Sequence, residues 1–112
     1  SMRQFHTVVL ERMTEITSAL ETEPYEVGWA SEATLYVNTV GLSAACGTLN
    51  VTLQTSPDGI NWVDDGSKLG PIDADGLNFL RAKHFGGWLR ARFEVVEATA
   101  PLTLTVQLAL KE

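Results

Sequence analysis

The chain has 112 residues, with 14 acidic against 8 basic side chains, a formal charge of −6 and one cysteine. That is the ordinary size of one domain and hides roughly two thirds of the unfolded surface, so a core needing neither metal nor disulfide is expected over a single domain, 1–112. The acidic balance has the wrong sign for phosphate backbones, Cys46 has no partner for an intrachain disulfide, and no run of about 18 apolar residues occurs, which argues against nucleic-acid and membrane partners.

Taken from the N-terminus, Ser1-Met2 reads as an expression scar and start methionine, with no signal-peptide pattern behind it, so the chain is expected to be cytoplasmic where it is made. Phe5 to Leu10 carries a first strand signal. Glu11 to Glu23 places Met13, Ile16 and Leu20 near helical spacing, but β-branched Thr14, Ile16, Thr17 and Thr22 and the closing Pro24 favour a strand over Ile16 to Leu20 and then an exposed acidic loop. Tyr25 to Val27 and Ala33 to Val40 are further strand signals, and Gly41 through Gly47 is a small, flexible connection.

Strict alternation begins at Thr48, where Leu49, Val51 and Leu53 take one face and Asn50, Thr52 and Gln54 the other. Ser56-Pro57-Asp58-Gly59 is a tight-turn tetrapeptide. The short signals Trp62-Val63 and Leu77 to Ala82 follow, with an aspartate-rich loop region between them. Gly86-Gly87 admits positive φ, and Leu89, Ala91, Phe93 and Val95 then alternate with Trp88, Arg90, Arg92 and Glu94. The last segment alternates most clearly, with Leu102, Leu104, Val106, Leu108 and Leu110 on one face and Thr103, Thr105, Gln107 and Lys111 on the other. Short strands at this spacing predict an all-β antiparallel sandwich, jelly-roll-like, of about eight strands.

Catalytic chemistry finds little support. His6 and His84 are the histidine bases on offer and neither lies in a hydrolytic motif, so no catalytic residue is assigned. Cys46, among Ala44, Ala45 and Gly47, reads as a buried, inert thiol. Cys46, His6 and His84 are too few for structural zinc, and Asp73-Ala74-Asp75-Gly76 is a fragment of a calcium loop without its later glutamate, so the aspartates are read as turn formers and no metal or cofactor is expected. Gly66 to Gly70 with Lys68 matches no phosphate loop, and Asn50-Val51-Thr52 lies mid-strand, the wrong place for a glycosylation acceptor.

The aromatic residues carry more. Trp29, Trp62 and Trp88 stand at strand and loop margins, where indoles serve as core lids, interface anchors or sugar platforms. Arg90 and Arg92, two apart, point with Trp88 to one wet face, a surface suited to carboxylate contacts unless Glu94 and neighbouring acids neutralise it. Trp88, Arg90, Arg92, Trp62 and Trp29 are therefore the candidate interface or ligand residues.

The stretches Gln54-Thr55-Ser56-Pro57-Asp58-Gly59-Ile60-Asn61-Trp62 and Phe85-Gly86-Gly87-Trp88-Leu89-Arg90-Ala91-Arg92-Phe93 resemble the small β-sandwich structural proteins of tailed phages and prophages. The likeness spans about Glu32 to Lys111, the entry segment Ala30 to Asn38 also fits, and the acidic N-terminal third departs from the pattern. A looser likeness joins discoidin-like and carbohydrate-binding sandwiches. The resemblance implies a non-enzymatic capsid decoration or virion accessory protein. Such a protein would form a homo-oligomer, a trimer first, or attach to a capsid or shell protein, and would reside in the virion or shell. The alternative is a carbohydrate-binding module presenting its tryptophans to a glycan.

Overall fold

The computed structural model describes residues 3–112, so Ser1-Met2 lies outside the described residues. Among the described residues there are nine strands, β1 (Phe5–Ile16), β2 (Ala19–Glu21), β3 (Tyr25–Glu26), β4 (Glu32–Val40), β5 (Thr48–Ser56), β6 (Val63–Ile72), β7 (Gly76–Lys83), β8 (Trp88–Val96) and β9 (Leu102–Lys111), with a single helical turn, α1 (Leu42–Ala45). They form two antiparallel sheets, one ordered β1-β9-β4-β7 and the other β2-β8-β5-β6 with β3 also paired to β8. Every connection except the β5–β6 hairpin and the β2–β3 gap crosses from one sheet to the other, which is the winding of a jelly roll.

β2 and β3 act as one interrupted strand alongside β8, bringing the count to the expected eight. Pro24, which lacks an N–H, breaks the ladder, and Thr22 bridges the gap. Its N–H donates to the Ala91 carbonyl (2.9 Å) and its hydroxyl accepts from the Ala91 N–H (2.9 Å). The exposed acidic loop expected here is therefore half wrong, because Thr22 is buried.

The inward residues of β4, β5, β8 and β9 make the core, with Leu35, Leu49, Leu53, Leu89, Phe93, Leu104 and Leu108 all but sealed from solvent. Apart from Leu35, these are positions that alternation assigned to the dry face. Four other expectations need correction. Ile16 to Leu20 is not one strand, because β1 runs on to Ile16 and the chain turns at Thr17-Ser18 to enter the second sheet. Asp64 to Ile72 is not loop but most of β6, an edge strand that pairs only with β5 and buries only Ile72 outright. Gly41 to Gly47 is not loose: the Asp75 carboxylate accepts from the N–H groups of Gly41, Leu42 and Ser43 at 3.2, 2.7 and 3.3 Å and fixes the turn α1. Cys46 ends that turn in the left-handed conformation (φ 57°), which leaves its thiol exposed rather than buried.

Candidate functional site

The two phage-like motifs fold into one unit. Asp58 is the hub of the Ser56–Asn61 turn, where Oδ1 accepts from the N–H groups of Ile60 (2.8 Å) and Asn61 (2.9 Å) and Oδ2 from the Asn61 side chain (2.9 Å). These donors, Asn61 and Ile60 first, hold its carboxyl far below the usual carboxylate range. Gly59, at φ 78°, lies under the Trp88 indole so closely that a Cβ there would sit 3.2 Å from the ring. Thr55 ties the second motif in, its hydroxyl accepting from the Gly86 N–H (2.8 Å) and donating to the Trp88 carbonyl (3.1 Å).

Gly86 is glycine because of this approach. A Cβ would meet the Ser56 carbonyl at 3.0 Å, whereas the positive φ expected of Gly86-Gly87 belongs to His84 (φ 58°).

Arg90 lies at the centre of the outer face of this sheet. Its guanidinium covers one face of the Trp62 ring at 4.4 Å, its Nε donates to Gln54 Oε1 (2.7 Å), and Nη2 pairs with Glu21 (3.0 Å). Gln54 in turn donates to Asp64 (3.0 Å). Glu21, Arg90, Gln54 and Asp64 come from β2, β8, β5 and β6, so one polar chain crosses every long strand of the sheet. The acid that neutralises Arg90 is Glu21, not the expected Glu94.

Of the candidate residues, the structure brings Arg90 and Trp62 together, places Trp88 over the neighbouring turn, and leaves Arg92 exposed two positions along β8. Trp29 is elsewhere, half-buried in the turn after β3 and packed on the core as a lid. Gln54 and Glu21 were missed by the sequence reading. Only the cross-strand register Gln54–Arg90 could have exposed the first, and that register requires knowing which strands pair.

The opposite face, outside the four-stranded sheet, is built differently. In-register rows cross it: Phe5, Lys111, Glu32 and Lys83 make one, Thr7, Ala109, Thr34 and Arg81 the next, and Val9, Gln107, Tyr36 and Phe79 the third. The outer strands β1 and β7 carry most of the exposed apolar side chains, with Arg81 and Lys83 on β7, and the inner strands β9 and β4 carry mainly hydroxyls, amides and Tyr36, with Lys111 and Glu32 at one end and Val40 at the other. Phe5 is 66% exposed, Met13 74%, Leu77 65% and Phe79 50%. Met13 reaches this face through a bulge in β1, at φ 47°, with its N–H on the Thr105 hydroxyl (3.2 Å). Arg81 lies over the Phe79 ring at 4.9 Å and Lys83 reaches Glu32 at 4.0 Å.

Ionisable groups do meet on both faces: Glu32, Arg81, Lys83 and Lys111 line a cavity with Phe5 and Tyr36 on the four-stranded sheet, and Asp64, Lys68, Arg92 and Glu94 line one on the other. Among the described residues no group of three or more His, Cys, Asp or Glu side chains could hold a metal ion, and no helix is long and apolar enough to cross a membrane.

No protein-family model and no curated protein matches the chain. Solved structures do. The SPBc2 prophage-derived protein YomS is similar over 100% of this chain and 96% of its own, with a TM-score of 0.64 at 16% identity. The PBSX exported protein XepA matches 94% of this chain with a TM-score of 0.69 at 10% identity, this chain spanning 36% of it. A chain of infectious bursal disease virus, Gt strain, matches 97% with a TM-score of 0.63 at 7% identity, this chain spanning 32% of it. At these identities what is shared is the fold, and the likeness to phage and prophage sandwiches read from the two motifs holds at that level.

Proposed function

We propose that this chain is a non-enzymatic structural protein of a phage or phage-like particle, a capsid decoration or virion accessory protein that acts through protein–protein contacts. The observation that carries the reading is the end-to-end match of a whole small jelly roll to a prophage-derived protein of nearly the same extent. Two features of the surface support it. The outer face of the four-stranded sheet leaves large apolar side chains in solvent, which marks an interaction site more often than chance exposure does. The Asp58 and Asp75 carboxylates, which an enzyme or a calcium site would need free, are taken up by backbone N–H groups.

Among the residues expected to make contact, Arg92 is the one left open to carboxylates of a shell subunit. Trp88, Trp62 and Arg90 hold the surface around it, and Trp29 closes the core. The glycan alternative gains nothing from this arrangement, because Arg90 occupies one stacking face of Trp62.

The test is composition. Particles induced from a lysogen carrying this gene are purified by density gradient and quantified by mass spectrometry. The protein is expected at a fixed copy number relative to the major shell protein. Complete particles lacking it contradict the proposal.

A further inference from the structure

We infer that the outer face of the four-stranded sheet is a self-complementary surface on which two copies of this chain pair face to face, about a two-fold axis lying between the sheets and parallel to the strands. The inference rests on the reading of the chain as a protein that works by protein–protein contact, and it names a partner for the surface opposite the Trp88 and Arg92 face.

The argument comes from the cross-strand order. A two-fold axis along the strands lays β1 of one copy over β7 of the other and β9 over β4, in the isologous manner where residue i meets j and j meets i. In the first row this sets Glu32 against Lys111 of the second copy, twice by symmetry. In the third it sets Val9 against Phe79 and Gln107 against Tyr36, again twice. Apolar edge residues therefore meet in the third row, Lys83 and Arg81 lie over Phe5 and Thr7 of the second copy in the first two, and opposite charges coincide at the centre of the first.

Of the remaining cations, Lys83 comes within one strand spacing of Lys111 of the second copy, where Glu32 of its own chain pairs with it at 4.0 Å. Those on β7 lie three strand spacings from their symmetry mates, about 14 Å, which exceeds the screening length of about 8 Å at physiological salt. Aligned packing of twisted sheets at about 30° preserves the match at the centre and loosens it at the corners.

The size fits as well. Four strands about 4.8 Å apart and the nine residues of β4 at about 3.3 Å each give on the order of 600 Å² in projection. Side-chain relief raises the accessible area toward the about 800 Å² per partner of a stable interface.

Sedimentation velocity over a concentration series, with native mass spectrometry, tests the pairing. The wild-type chain is expected as a dimer. Glu32→Lys alone and Lys111→Glu alone each place two like-charged pairs in the interface and weaken self-association by more than about tenfold. An equimolar mixture of the two variants restores both opposite-charge pairs and re-forms dimers containing one chain of each. A purely structural role within one chain gives no such rescue, and unchanged circular dichroism of each variant shows that folding is intact. A wild-type chain that is monomeric or trimeric, or variants that fail to recombine, overturns the pairing. The virion reading would survive that outcome, because particle composition tests it separately.

Discussion

The outer face of the five-stranded sheet and the outer face of the four-stranded sheet share a backbone pattern and differ in what their side chains touch. On the first, the conspicuous residues are taken up internally: Arg90 is stacked on Trp62, bonded to Gln54 and paired with Glu21. On the second, the side chains are ordinary, Phe5, Met13, Leu77 and Phe79 among threonines, but they are left in solvent. A residue that looks like a binding element in sequence can be scaffolding once its neighbours are known. The four-stranded face differs in leaving large apolar side chains exposed to water.

Substitutions can break or sharpen this contrast. The largest effect is expected at Phe93, sealed in the core that joins both faces. Phe93→Ala should cost about 3–5 kcal/mol in urea denaturation and disable both faces together. Arg90→Ala removes the stacked cation and two polar contacts at a half-buried site. It should cost about 1–2 kcal/mol, with a tryptophan fluorescence change from Trp62, and Arg90→Lys should recover only part because an ammonium cannot reproduce the planar fork.

Asp58→Ala removes the hub of the β5–β6 turn and should lower the melting temperature without changing the oligomer. The carboxyls of Asp58 and Asp75 are both held low by backbone donors. Their contribution is complete above the unfolded carboxylate value of about 4 and is lost as pH falls below it. The melting temperature should therefore hold steady from neutral pH to about 4 and drop beneath, and Asp58→Asn should flatten that drop. Arg92→Ala, at an exposed position without an intrachain partner among the described residues, should shift stability by no more than about 0.5 kcal/mol.

The sequence was informative where a strand separates core from water. β5, β8 and β9 are read correctly because each has one largely buried face, which forces apolar residues to alternate. β6 was lost because an edge strand covers little core, so Asp64, Asp65, Ser67 and Lys68 cost nothing there and mimic a loop. The end of β1 was lost because the bulge at Met13 breaks the period of two.

The two motifs were legible as motifs, but not as one unit. Thr55 and Gly86 are 31 residues apart, and only the fold brings them to hydrogen-bonding distance. The open face was invisible for a related reason. Most of its apolar residues are divided between β1 and β7, with Val40 on β4, and form a pattern only once β9 and β4 are placed between the outer strands.

The contrast between faces reduces to one side-by-side measurement. Light scattering on wild type, Leu77→Lys and Arg92→Glu, at equal concentration and with matched circular dichroism, reports which surface joins two copies. The account predicts a dimer for wild type and Arg92→Glu and a monomer for Leu77→Lys. A dimer that survives Leu77→Lys and falls apart with Arg92→Glu would contradict it.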